Sequence, residues 1–169
     1  MDLGEAIAVA IESEIGVINI YEKYASQFTS EVGKKIFEAL GKEEEDHVAY
    51  LRVKLAQWKE SGKLSVDSID TIVPSVDTIK NNVAKLKAVD GQTVADSELE
   101  AFKKALEMEI NATNFYKDLV SKLSEQDRKL FERFIEIEEG HEAIVRAEID
   151  QARGLGYWFD FMEFDLESA

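Results

Sequence analysis

The sequence predicts an all-α protein, a four-helix bundle of two antiparallel helical hairpins with a long crossover between the second and third helices. Apolar residues recur at helical spacing in four segments, short turns join the segments pairwise, and the two pairs are related by an internal repeat. With 169 residues, 45% of them hydrophobic, the chain can form one domain with a sizeable core. Within this single domain, residues 1–169, we expect helices at about 3–28, 31–61, 96–123 and 125–153, a crossover at 62–95 and an aromatic tail at 155–169.

The first hairpin is predicted from two apolar stripes with a turn between them. The first stripe runs through residues 5–28 at the spacing of a helix that packs one face on a core. Thr29-Ser30 offers an N-cap for the second helix, and Ser61-Gly62 is typical of a helix end. The second stripe consists of Phe37, Leu40, Leu51, Leu55 and Trp58.

The second hairpin follows the same plan. Its first stripe runs from Leu99 to Leu123. Residues 124–127, Ser-Glu-Gln-Asp, resemble a capping box with Asp in place of the usual Glu, and they predict the start of the fourth helix. Gly154 ends the stripe of that helix, which consists of Phe131, Phe134, Val145, Ile149 and Ala152.

The crossover between the hairpins contains Pro74, which is the only proline, and Asp90-Gly91. A link of this length lets the second hairpin return parallel to the first, and residues 75–89 are expected to form a short extra helix. We interpret the link as a surface crossover; a substrate lid is the alternative.

The tail is unusually aromatic between Tyr157 and Phe164. It either lies over the end of the bundle or forms a subunit contact, because an exposed apolar patch of that size usually finds a partner. We therefore expect at least a dimer, most simply a homodimer.

An internal repeat relates the hairpins. Residues 12–26 align on residues 107–121, and residues 35–51 align on residues 129–145. The two offsets differ by one residue, which indicates one helical hairpin duplicated and fused. The repeat predicts a site with pseudo-twofold symmetry between the copies.

Composition excludes several classes of function. The net charge of −15 argues against nucleic acid or an anionic membrane surface as a partner. Because the chain has no cysteine, it has no disulfide, thiolate metal site or iron–sulfur centre of its own, so any electron donor must be an external protein. The N-terminus has no signal-peptide pattern and no apolar run approaches membrane-spanning length, so we expect a cytoplasmic protein.

Six residues in a duplicated pattern predict a metal centre. Both histidines of the chain lie three residues after a glutamate, and residues three apart on a helix lie about 60° and ~4.5 Å apart, so both can reach one point. A further glutamate precedes each pair by roughly thirty residues. A chance coincidence is the alternative, which the repeat disfavours. The candidate ligands are Glu14, Glu44, His47, Glu109, Glu138 and His141.

Energetics strengthen this prediction. Each glutamate replaces an apolar residue in a core stripe, and an unpaired buried carboxylate costs several kcal/mol. No lysine or arginine falls at the same level of a stripe, whereas two divalent cations would balance four carboxylates. Oxygen and imidazole ligands suit iron or manganese, and zinc is possible. We expect Glu14 and Glu109 to be terminal ligands, Glu44 and Glu138 to bridge, and each histidine to cap one metal.

Tyr21 and Tyr116 each follow a candidate ligand, Glu14 or Glu109, by seven residues. They are ordinary core residues or, as we prefer because both copies carry one, hydroxyls that hydrogen-bond a carboxylate of the other hairpin. They are the candidate catalytic residues outside the ligand set.

The six-residue pattern resembles that of the ferritin-like di-iron carboxylate proteins over the four helices, about 115 residues. Within that superfamily the chain is most similar to the bundle domain of rubrerythrins, which reduce hydrogen peroxide at a di-iron site. The resemblance implies two iron ions held by the six residues. Rubrerythrins carry a further glutamate where this chain has Ala112, and they usually add a cysteine-ligated rubredoxin domain, for which these 169 residues contain no cysteine.

The same ligands match bacterioferritins, which oxidise ferrous iron for storage. A haem-binding methionine follows the second-helix glutamate there, whereas Glu45 follows it here, so we expect no haem. The leading hypothesis is a di-iron redox enzyme in which ferrous iron reacts with hydrogen peroxide or oxygen and an external donor re-reduces it. The alternatives are ferroxidase activity with iron storage or delivery, and a structural or regulatory bundle whose metal does not turn over.

Overall fold

The computed structural model describes residues 1–65, 69–74, 76–83 and 95–153. It contains five helices there and no strand, which confirms the all-α prediction. The predicted aromatic tail and the remainder of the crossover lie outside the described residues. The helices are α1 (Leu3–Ala25), α2 (Glu31–Ser61), α3 (Val76–Val83), α4 (Asp96–Ser121) and α5 (Lys129–Ala152).

The ends of α1 and α2 follow from local capping. Asp2 and Glu5 form a capping box at the start of α1, which the sequence analysis did not identify. Ser30 caps α2 by accepting a hydrogen bond from the Gly33 N–H at 3.1 Å, as predicted. Gly62 ends α2 with a φ of 64°, a left-handed conformation that glycine adopts without steric cost.

Two helix boundaries differ from the prediction by three residues or more. α1 ends at Ala25 rather than at residue 28, and the turn that follows buries Phe28 against the Phe37 and Phe102 rings at centroid distances of 4.6 and 5.0 Å. α5 begins at Lys129 rather than at residue 125, because residues 125–128 form a turn. The Asp127 N–H does donate to Ser124 Oγ, but the short Asp127 carboxylate accepts from the serine hydroxyl instead of from its backbone N–H.

The two hairpins pack through α1 and α4, which run in opposite directions. The chain after α1 contacts the first turn of α4, since Glu98 accepts hydrogen bonds from the Thr29 and Ser30 backbone N–H groups. The start of α1 instead shares a core cluster with the end of α4, Leu3 with Leu119. The expectation that the second hairpin returns parallel to the first is therefore wrong. Antiparallel packing is what a twofold relation across the helix axes requires.

The crossover packs on α5 of the second hairpin and also contacts α2 of the first. Its described part buries Ile69, Val73 and Ile79, and α3 contacts α5. The expected extra helix is present as α3, while residues 84–89 of the predicted range lie outside the described residues. None of the described helices combines the length and the apolar composition that a membrane-spanning segment requires.

Candidate metal centre

Six side chains from four helices converge between two apolar clusters of the bundle, and each is fully buried, with 0% of its surface exposed. α1 and α4 each supply one glutamate, while α2 and α5 each supply a glutamate and the histidine three residues later. All six residues that the sequence predicts are brought together: Glu14, Glu44, His47, Glu109, Glu138 and His141.

One half of the centre surrounds His47. Its Nδ1 lies 3.0 Å from Glu44 Oε2 and 3.6 Å from both Glu14 Oε2 and Glu138 Oε1. These four residues form one group whose ligand atoms are close enough to hold a single ion. Helices α1, α2 and α5 contribute to this half, and α4 does not.

The other half surrounds His141. Its Nδ1 lies 2.7 Å from Glu44 Oε1 and 3.6 Å from both Glu109 Oε2 and Glu138 Oε2. Glu44 and Glu138 thus place one oxygen in each half, whereas Glu109 belongs only to this one. Glu44 and Glu138 are thus the two carboxylates that the four-residue groups share.

The donor atoms fit a pair of metal ions. Bonds of about 2.0–2.2 Å to oxygen or nitrogen place neighbouring ligand atoms roughly 3 Å apart, close to the distances around both Nδ1 atoms. Among the described residues, Glu14 Oε2, Glu109 Oε2 and both oxygens of Glu138 have no hydrogen-bond partner. Buried polar atoms without partners are costly, and cations between them would satisfy them.

Burial and mutual repulsion shift the acids of the metal-free centre. Burial, and then the charge of Glu44, raises the pKa of Glu14 to about 8. Burial and the same neighbour raise the pKa of Glu138 well above its usual range. Burial also raises the pKa of Glu44, but the two histidines outweigh it and hold this pKa well below its usual range. Protons therefore balance the charge where cations are absent.

The two histidines respond in the opposite sense. Burial lowers the pKa of His47 and of His141, but the surrounding carboxylates, Glu44 first, outweigh burial and raise both pKa values well above the usual range. The rings stack nearly parallel, with centroids 5.6 Å apart. Both present Nδ1 to the carboxylates, so Nε2 is the nitrogen that faces the surrounding protein.

Each tyrosine hydroxyl hydrogen-bonds a carboxylate of the other hairpin, which is the arrangement that the repeat predicts. Tyr21 donates to Glu109 Oε1, and Tyr116 donates to Glu14 Oε1. Burial, and then these carboxylates, raises the pKa of both hydroxyls well above the usual range, so both keep their protons. The oxygens that face the centre are the other ones, Glu109 Oε2 and Glu14 Oε2, and the tyrosines thus hold the carboxylates from behind.

One polar neighbour of the centre, Glu43, is not predicted from the sequence. It is only 5% exposed, and its Oε2 lies 3.2 Å from His141 Nε2. Its Oε1 accepts a hydrogen bond from the Ile72 N–H of the crossover at 2.9 Å. The only signal in the sequence is its position four residues before His47, on the same face of α2, within a run of acids that otherwise suggests a solvated surface.

Other charged residues lie outside the centre. Glu45 and Asp46 are exposed and pair with Lys42 at 3.0 and 2.9 Å, so they are not part of the centre. Lys54 is buried, but its ammonium group donates to the Ser65 carbonyl at 2.6 Å instead of neutralising the centre. Three further acids are buried in the described residues, and of these Glu98 and Glu148 belong to no candidate metal group.

Comparisons with known proteins agree with this geometry. None of the curated proteins matches the chain. A solved structure of a hypothetical protein from Pyrococcus furiosus is similar to it, with a TM-score of 0.63 and 25% sequence identity over 94% of each chain. The family model for rubrerythrin matches residues 5–149, which supports a di-iron carboxylate protein. The chain belongs to the rubrerythrin family.

Proposed function

We propose that the protein is a di-iron carboxylate redox enzyme, in which ferrous iron at the centre reacts with hydrogen peroxide or oxygen and an external electron donor protein restores it. The observation that carries this proposal is the pair of four-residue groups that share Glu44 and Glu138. Iron is the proposed metal, and manganese or zinc are outcomes of metal analysis. We expect a homodimer, with no role for nucleic acid, membrane or haem.

The residues divide into terminal, bridging and supporting roles. Glu14 with His47, and Glu109 with His141, would each hold one ion, and Glu44 and Glu138 would hold both. Two adjacent bound iron ions would each supply one-electron redox chemistry. The protein holds the ligands in a dry interior where charge interactions are strong.

The tyrosines are proposed as positioning residues. Tyr21 and Tyr116 fix Glu109 and Glu14 from the side away from the centre, and each keeps a proton on its hydroxyl within hydrogen-bond reach of a ligand carboxylate. Their phenylalanine variants should keep both ions but react more slowly with the oxidant. If both variants react with the oxidant as fast as the wild type does, the two tyrosines are ordinary core residues.

The decisive experiment is stopped-flow spectroscopy of the anaerobically iron-loaded protein mixed separately with oxygen and with hydrogen peroxide. A reaction with either oxidant supports the proposed function. A much faster reaction with peroxide assigns peroxide as the oxidant, as in rubrerythrins, and a comparable or slower one contradicts that assignment. Glu44→Gln, which removes a bridging charge, should abolish the reaction. Glu45→Gln is the matched control, because Glu45 is the neighbouring acid but lies on the exposed face.

The same preparation discriminates the other two functions. A shell-sized assembly on a sizing column would indicate iron storage, whereas a dimer counts against it. A ferrous protein whose spectrum does not change on addition of peroxide or oxygen would indicate a structural or regulatory role for the metal.

A further inference from the structure

We propose that Glu43 is a positioning residue for His141 that makes the two halves of the centre unequal, so that the half containing Glu109 and His141 binds its divalent cation first and more tightly. The inference rests on the proposed metal centre and goes beyond the six ligands. It assigns a role to a buried acid of this chain that lies outside the ligand set.

The first observation is the contact itself. His141 presents Nδ1 to the centre, so its Nε2–H is free to donate, and Glu43 Oε2 lies 3.2 Å away. A ligand histidine whose other nitrogen donates to a carboxylate is fixed in tautomer and ring orientation and is a more basic ligand. Loss of such a contact typically weakens metal binding 10- to 100-fold.

The second observation is that, among the described residues, Glu43 makes this hydrogen bond with His141 only, although its carboxylate also lies within 4.8 Å of a nitrogen of His47. In the repeat, residue 137 matches residue 43, and it is Ile137, whose side chain has no hydrogen-bonding atom. Among the described residues, His47 Nε2 has no hydrogen-bond partner. The His47 ring packs edge-on against Phe134 instead, with the centroids 5.3 Å apart. No polar contact at Nε2 therefore orients the His47 ring from outside the centre.

The third observation is that the crossover holds Glu43 in place. The Ile72 N–H donates to Glu43 Oε1 at 2.9 Å, which leaves Oε2 directed at His141. Val73, next along the chain, is buried against α5 beside Gly140, where an added Cβ would lie 2.8 Å from Val73 Cγ1. The crossover therefore couples its own seat on α5 to the orientation of the neighbouring His141.

The test is a titration of metal-free protein with Co²⁺, monitored by visible absorption and by calorimetry. Co²⁺ binds oxygen and nitrogen ligands and is stable to air at such sites. We expect two steps that differ in affinity by about 10- to 100-fold. Glu43→Ile gives both copies the same residue, and it should weaken the tighter step by about that factor so that the two steps merge. Glu43→Gln keeps an acceptor oxygen and should retain most of the difference, while Glu45→Gln should change nothing.

Proton NMR of the cobalt-loaded protein provides a second readout that a loss of general stability would not imitate. The imidazole N–H of each ligand histidine is strongly shifted by cobalt, and the wild type should show one slowly exchanging signal from His141 and one rapidly exchanging signal from His47. In Glu43→Ile both should exchange rapidly. If that variant fails to fold, the wild-type spectrum still decides, because two signals with equal exchange rates overturn the inference.

The outcomes separate this inference from the proposed function. A wild type that binds no cobalt contradicts the metal centre and this inference together. Two equal steps, or a tighter step that Glu43→Ile leaves unchanged, overturn only the role of Glu43.

Discussion

Replacing Gly140 by alanine tests whether the crossover is seated on α5 as the structure shows. Gly140 is buried next to His141, and an added Cβ would lie 2.8 Å from Val73 Cγ1 and 3.5 Å from the Pro74 carbonyl oxygen. Alanine in a helix interior is favoured over glycine by about 1 kcal/mol. Carbon atoms pack at about 3.5–4.0 Å, however, so Val73 must retreat by roughly an ångström, and overpacking of this kind costs about 1–3 kcal/mol.

We therefore expect Gly140→Ala to lower the free energy of unfolding by about 1 kcal/mol, and Tm by about 2–4 °C. The matched control is Gly16→Ala in α1, where the added Cβ would meet only Met108 Cε at 3.9 Å. This control should raise the free energy of unfolding by up to about 1 kcal/mol. Urea denaturation and thermal melting of metal-free protein measure both effects.

The double variant Gly140→Ala with Val73→Ala identifies the cause. Truncation of Val73 removes the atom that the new Cβ would meet, so Gly140→Ala should become neutral or stabilising in that background. A Gly140→Ala protein as stable as Gly16→Ala, or an equal effect of the change with and without Val73, would refute the seating of the crossover.

Three other predictions concern the buried acids. The pKa of Glu14 is about 8 in the folded protein and 4.5 ordinarily, so between these pH values the folded state keeps a proton that the unfolded chain loses. The free energy of unfolding of metal-free protein should therefore fall as pH rises from 4.5 to 8. This group contributes at most about 1.4 kcal/mol per pH unit to that fall. Glu14→Gln should flatten that slope in urea denaturation at several pH values, and an unchanged slope would contradict it. Glu14→Ala and Glu109→Ala should each lose bound metal by elemental analysis yet keep a helical circular dichroism spectrum without metal, and loss of the fold in both would contradict this. Glu98→Ala removes the acceptor of the Thr29 and Ser30 N–H groups, so it should lower the free energy of unfolding by about 2 kcal/mol and lower Tm. An unchanged Tm would show that water replaces the carboxylate as acceptor.

The helices could be predicted because each buried face repeats at helical spacing, and the centre because its residues interrupt those faces in duplicate. The ends of the helices depended on finer chemistry. Ser30 and Gly62 were predicted because a hydroxyl and a left-handed glycine act locally. Asp127 was not, because one missing methylene changes which donor its carboxylate reaches.

Glu43 could not be predicted for a different reason. In the sequence it belongs to the run 43–46, in which Glu45 and Asp46 are exposed and paired with Lys42. What separates Glu43 from them is the segment at residues 69–74, which packs over it from a distant part of the chain. Local periodicity shows which residues share a face of α2, but not which part of that face another segment covers.

The differences between the two copies follow from their connection. Two fused hairpins need only one crossover, and in the described residues it covers α5 beside Gly140 and contributes a backbone N–H to Glu43 of α2. The covered position on α5 must be small, whereas its counterpart Asp46 on α2 remains charged and exposed. The backbone N–H of Ile72 donates to Glu43, whereas Ile137, the residue that matches Glu43 in the second hairpin, has no side-chain acceptor for such a hydrogen bond. A duplicated centre with identical ligands can therefore acquire two unlike halves through the path of the chain that joins the copies.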